Sequence, residues 1–148
     1  LNAQLIRTIF QDISHQRVIK HYDIIRKVEE PVIVAAGWKP GWSTDYDAVV
    51  LCQDYGIKQV LNLSNIDQVY TKDPKKFPDA KPITSTTWKE YRRLTGDKWV
   101  PSMNVPFDPI AAKLAEELDV TVKILNGKNL DNLGKALDGK AFFGTTIE

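Results

Sequence analysis

The sequence predicts an α/β fold of three layers, an αβα sandwich whose central sheet is mainly parallel. Three observations carry this expectation. Pro31-Val32-Ile33-Val34-Ala35-Ala36 is apolar on consecutive residues and ends at Gly37, the pattern of a strand buried on both faces. A second apolar segment, Val60-Leu61-Asn62-Leu63, follows about one helix later, and beyond it helical and strand patterns alternate to the end of the chain. The 148 residues, 43% hydrophobic and 26% charged, suffice for one compact core over 1–148, whereas two domains would be crowded. The same proportions exclude collagen-like, disordered and coiled-coil classes.

Taken in order, Leu1, Leu5, Ile6, Ile9 and Phe10 share one face of an amphipathic helix that starts without a capping residue. The stretch from His21 to Glu30 is ambiguous between helix and loop, with Asp23 as a start and Pro31 as a stop. After the Pro31–Gly37 strand and a loop to Trp42, Ser43-Thr44-Asp45 offers N-cap chemistry for a helix running to Tyr55 and stopped by Gly56. The two strands flanking that helix form a βαβ unit. Pro74, Pro78 and Pro82 make Thr71–Pro82 an ordered excursion without long regular structure. Trp88–Leu94 reads as a short helix. Asp108 as N-cap and Pro109 at the first helical position open a helix whose apolar face holds Ile110, Leu114 and Leu118. Val120–Leu125 is a strand, Leu130, Leu133 and Leu137 mark a helix, and Ala141–Ile147 closes with a strand at an edge.

Twenty Lys and Arg against nineteen Asp and Glu leave a net charge of +1, so no overall field favours nucleic acid or an anionic membrane, and any anion site must be local. No apolar run approaches the ~20 residues of a membrane span, and the first residues lack the pattern of a signal peptide. The single cysteine, Cys52, excludes an internal disulfide and fits a small core residue in a reducing compartment, so a cytoplasmic placement is expected. The only methionine is Met103, which suggests the C-terminal part of a longer protein.

In an open parallel sheet, ligands bind beyond the carboxyl ends of the strands. Two loops lie there. Gly37-Trp38-Lys39-Pro40-Gly41-Trp42-Ser43-Thr44 places glycines where backbone can approach a ligand and leads into a helix N-terminus, where free N–H groups attract phosphate. Composition leaves an anion site and a plain capped turn equally open. Trp38 and Trp42 fit stacking on a base or packing over the sheet end. In Ser64-Asn65-Ile66-Asp67-Gln68-Val69-Tyr70-Thr71-Lys72-Asp73-Pro74, Tyr70 offers a flat face for a base and Asp73 an acceptor for ribose hydroxyls, although an ordinary Asx-rich turn fits as well. His15 and His21 stand outside any metal or triad spacing and read as surface residues.

Together the two loops, with Ile124-Leu125-Asn126-Gly127 and Gly144-Thr145-Thr146-Ile147, resemble the amino acid kinase superfamily and, within it, the uridylate (UMP) kinases of bacteria and archaea. The second loop is similar to that family's Thr-Asn-Val-Asp-Gly-Val-Tyr-x-x-Asp-Pro nucleotide loop, with Gln68 in place of the glycine. The resemblance implies UMP contacts along Gly37, Trp38, Lys39, Pro40, Gly41, Trp42, Ser43 and Thr44, and ATP contacts at Ser64, Asn65, Tyr70 and Asp73. It assigns Asp45 the carboxylate that organises catalytic lysines. The implied reaction transfers the γ-phosphate of ATP, bound with Mg2+, to UMP. The implied partners are ATP, UMP and further copies of the chain, hexamers being usual. It also implies that the fold is incomplete at its N-terminus, lacking the first strand with its lysine and the second glycine loop, so that the chain alone is an inactive fragment. The alternatives are another kinase of the superfamily acting on a phosphate, carboxylate or carbamate, and a non-catalytic nucleotide-binding or storage member.

Overall fold

The computed structural model describes residues 1–22, 27–96, 98 and 105–148. Its sheet has the order β1-β5-β6-β4, formed by β1 (Gln59–Ser64), β5 (Thr121–Asn126), β6 (Thr145–Ile147) and β4 (Ser85–Thr86). β1 pairs with β5 in parallel and β4 with β6 in parallel, while β5 and β6 are antiparallel. The α/β class, a mostly parallel sheet flanked by helices, is therefore what forms. β5 sits between two partners, which is why its Val122, Ile124 and Leu125 are fully buried.

Three helices gather over this sheet. α2 (Thr44–Tyr55), α3 (Trp88–Thr95) and α4 (Pro109–Glu117) bury Val49, Cys52, Trp88, Tyr91, Ala111, Ala112 and Ala115 against Val122, Ile124 and Ile147 in one cluster. The small residues of α4 let neighbouring backbones approach closely. Each helix starts on the chemistry its sequence supplies: Ser43 caps α2, Thr87 and Glu90 form a reciprocal capping box on α3, and Asp108 followed by Pro109 opens α4. Trp88 donates its indole N–H to the Val120 carbonyl at 3.0 Å. The Tyr91 hydroxyl donates to the Phe107 carbonyl and accepts from the Phe107 amide, at 3.0 and 2.8 Å. An ion pair between Arg92 and Glu116 ties α3 to α4. α5 (Leu130–Leu137) lies against β5, with Leu125 and Ala136 buried outside the main cluster.

Several expectations are corrected. Pro31–Gly37 does not form a sheet strand buried on both faces. It runs alongside 14–19 through two isolated parallel bridges, Ser14 with Val32 and Ile19 with Ala35, and only Val34 of the run is buried. An apolar run becomes a core strand only when neighbours cover both of its edges and both faces, and among the described residues this segment has a partner on one edge. It does not join β1, so α2 is not the crossover of a βαβ unit in the four-stranded sheet; that role falls to the chain between β1 and β5, which carries α3 and α4. α1 (Asn2–Ile9) forms as expected, without a side-chain cap, yet no residue of it is buried, and Leu5 and Ile9 are 61% and 62% exposed. β6 is shorter than expected and lies inside the sheet, because β4 covers its second edge; β1 and β4 are the edges. The excursion after Tyr70 is closed by a small antiparallel pair, β2 (Val69–Tyr70) with β3 (Pro82–Ile83). The helix start weighed at Asp23 lies outside the described residues.

Candidate functional site

β1 delivers Ser64 to the carboxyl end of the sheet, and the chain then turns through 65–68 into β2. There a cavity of about 240 Å³ opens, lined by Ser64, Asn65, Ile66, Gln68, Tyr70, Lys72, Asp73 and Pro74 from this loop and by Val105 and Pro106 from the segment before α4. All four residues expected on this loop, Ser64, Asn65, Tyr70 and Asp73, therefore border one space. Asp73 also makes the Asx turn that composition left open: its Oδ1 accepts the Lys75 amide at 3.0 Å, and its carbonyl accepts the amides of Lys76 and Phe77. A turn and a ligand contact are compatible, because Asp73 Oδ2 takes no hydrogen bond among the described residues. Lys72 pairs with Asp79 at 2.8 Å on the surface, a contact worth at most about 1 kcal/mol and readily exchanged.

The loop from Gly37 to Thr44 does not line that cavity. Its local structure follows from Pro40 and Gly41: the Trp42 amide donates to the Lys39 carbonyl at 3.1 Å, and Gly41 at φ 87° takes the left-handed position such a turn demands. Ser43 then accepts the Tyr46 amide at 3.1 Å as the cap of α2. Trp38 and Trp42 pack against each other edge to face at 5.1 Å, and the cluster extends to Tyr46 and Tyr22. Lys39 Nζ lies 3.8 Å from the Trp38 ring centre and 5.2 Å from that of Trp42, which holds a cation over the loop at small cost. His21 stands edge-on to Trp38 at the surface. His15 differs from its expected surface setting, being partly buried with Nδ1 3.2 Å from Glu30.

Asp45 joins the two regions. Its Oδ1 accepts from Asn62 of β1 at 3.1 Å and its Oδ2 accepts the Asp108 amide at 3.0 Å, while Asp108 Oδ1 accepts the Ile110 and Ala111 amides at the start of α4. Burial holds the Asp45 carboxyl above the usual carboxylate range; the Asp108 amide opposes this and the Asp108 charge adds to it. Two residues on, Asp47 is 4% exposed, and neither of its oxygens has a hydrogen-bond partner among the described residues. Burial pushes its carboxyl up as well, offset in part by the nearby Trp38 amide. The loop lies directly on it, since a Cβ on Gly37 would stand 3.7 Å from Asp47 Oδ2. The Tyr22 hydroxyl, which donates to the Ala36 carbonyl at 2.7 Å, is pushed up to about 12 by burial and then by the charges of Asp47 and Asp54.

Sequence reasoning missed Gln68, Val105 and Pro106 as cavity walls and Asn62 as the partner of Asp45. Gln68 carried a usable signal as the departure from the glycine of the similar loop. Val105 and Pro106 carried none, because they reach the cavity only through the docking of α4.

Comparison with known proteins places the chain in a family. A sequence profile of the amino acid kinase family matches residues 2–126. The chain is 30% identical to a uridylate kinase of Sulfolobus acidocaldarius, across 99% of this chain and 66% of that protein. It is 34% identical to a uridylate kinase of Thermotoga maritima, across 86% of this chain and 53% of that protein. A crystal structure of uridylate kinase from Archaeoglobus fulgidus superposes with a TM-score of 0.81 at 26% identity, covering 99% of this chain and 66% of that one. The chain thus spans between about half and just under two thirds of the length of these relatives. It belongs to the amino acid kinase family.

Proposed function

We propose that the chain is the nucleotide-handling part of a UMP kinase, a phosphotransferase that moves the γ-phosphoryl group of Mg-ATP to UMP, giving UDP and ADP. One observation carries this reading: Ser64, Asn65, Tyr70 and Asp73 border one cavity at the end of β1. Relatives named uridylate kinase, which align along the chain, support it. In this reading the cavity takes the donor nucleotide, with Tyr70 against the base and Asp73 Oδ2 accepting from the ribose. The Gly37–Thr44 loop takes the acceptor: Ser43 and Thr44 put hydroxyls beside the free amides of α2, where the helix dipole favours an anion by up to ~2 kcal/mol. Lys39 leaves the indole faces to meet the acceptor phosphate. Asp45 fixes the α2 end to β1 and α4, which keeps donor and acceptor in line.

Among the described residues no group of three or more His, Cys, Asp or Glu side chains is placed to enclose a metal ion. In this reading magnesium enters on the ATP phosphates, whose charge it neutralises. No helix among the described residues is long and apolar enough to cross a membrane.

Calorimetric titration with ATP and with UMP tests the assignment. Asp73→Ala should weaken ATP about tenfold, the worth of one hydrogen bond to a charged group, and leave UMP unchanged. Equal loss for both ligands, or none for ATP, refutes it.

A further inference from the structure

Gln68 is an unusual residue for a cavity wall. It is 4% exposed, and its Nε2 donates to the Gly144 carbonyl at 3.0 Å, across 76 residues of sequence. The next residue is clamped to the same strand start, the Val69 amide donating to Thr145 Oγ1 at 2.9 Å. Gly144 leaves no room for a side chain, since a Cβ there would lie 2.5 Å from the Ile124 carbonyl. A carboxamide has one donor end and one acceptor end, and a backbone carbonyl can meet only the donor end. The orientation of the Gln68 amide is therefore settled by chemistry: nitrogen towards Gly144, Oε1 away from it. Among the described residues Oε1 takes no hydrogen bond, and the buried side-chain oxygens lacking a partner are those of Asp47 alone. Oε1 is thus without a partner among the described residues, on a side chain that lines the cavity. Val69 packs into the core, while Gln68 and Tyr70 on either side of it both line the cavity.

We propose that Gln68 determines the base specificity of the donor site, its clamped Oε1 accepting from the exocyclic amino group of a 6-aminopurine stacked on Tyr70. The proposal rests on the reading of this cavity as the donor site. A 6-oxopurine would set one oxygen against another that cannot rotate away, because rotation would put the amide oxygen against the Gly144 carbonyl. A site built around a fixed polar group rejects the analogue that leaves it unpaired.

The test is calorimetric titration of the 148-residue protein with ATP, with the 6-unsubstituted purine riboside triphosphate and with ITP, each with Mg2+, on the natural protein and on Gln68→Met. The natural protein should bind ATP about tenfold more tightly than the unsubstituted analogue, and ITP most weakly. Gln68→Met, of similar length without the amide, should bring the three affinities together; a purely structural role for Gln68 would weaken all three alike and preserve their ratios. ITP binding as tightly as ATP in the natural protein overturns the proposal even where Gln68→Met does not fold. Preserved ratios in a folded Gln68→Met overturn it while leaving the donor-site reading intact. Failure of all three triphosphates to bind overturns both.

Discussion

Asp47→Ala should stabilise the protein. In the native fold the Asp47 carboxylate is 4% exposed and has no hydrogen-bond partner among the described residues, only the nearby Trp38 amide, and a buried polar group without a partner costs about 1–3 kcal/mol, more when charged. Truncation removes that cost and adds the better helix propensity of alanine, about 0.5 kcal/mol. Against this, α2 loses one acid from its first turn, worth about 0.3–1 kcal/mol. The balance favours the variant by about 1–2 kcal/mol near pH 7.5, or about 3–6 °C in Tm for a domain of this size. The pH dependence has a definite sign. Burial raises the folded-state pKa of Asp47, so the native protein carries no penalty from this group below the ordinary carboxylate value near 4 and acquires it as pH rises through the folded pKa. Urea unfolding followed by tryptophan fluorescence should therefore show a gain from Asp47→Ala near pH 7.5 that shrinks towards pH 4. A variant that is destabilised equally at both pH values would refute the reasoning and reveal a partner for the carboxylate in solution.

Two further substitutions probe the framework around the site. Tyr91→Phe leaves both the amide and the carbonyl of Phe107 buried without their partner, and should cost about 2–4 kcal/mol in urea unfolding with little change in the slope; a loss under 1 kcal/mol would mean that water replaces the hydroxyl. Asp45→Asn can accept only one of the two hydrogen bonds now made from Asn62 and Asp108. It should lower stability by about 1–2 kcal/mol and, in a catalytically active preparation, reduce turnover far more than it weakens UMP; intact turnover would remove Asp45 from its assigned role.

Much of this arrangement is legible in the residues. Ser43, Asp108 and Pro109 mark helix starts by local chemistry, which needs no knowledge of distant neighbours, and both helices begin where they say. The 64–74 loop is equally local, and its residues gather because β1 ends at Ser64 and β2 folds back. What escaped depends on partners far along the chain. Pro31–Ala36 has the composition of a buried strand, but composition cannot say whether both edges will be paired, and here one is. The apolar stripe of α1 announces a buried face that nothing among the described residues covers. β6 was misplaced at an edge because its neighbour, the two-residue β4, is too short to leave a periodic trace. Asp47 looks like one more acid in the first turn of a helix; only the descent of the Gly37–Trp38 loop onto it makes it a buried charge.

The junction at Asp45 has a thermodynamic consequence. Asp45 lies two residues after the Ser43 cap, and Asp108, whose amide it holds, lies two residues after Pro106 on the cavity wall. The starts of α2 and α4 are thus bound to a single carboxylate, and a ligand that moves one pulls on the other through it. Where two sites share such an element, whatever factor the first ligand imposes on the affinity of the second is returned in full when the order is reversed. With donor and acceptor seated as proposed, a preference of one site for a particular seating of that carboxylate becomes, through the junction, a preference of the other, so neither affinity is expected to be a property of its own loop alone.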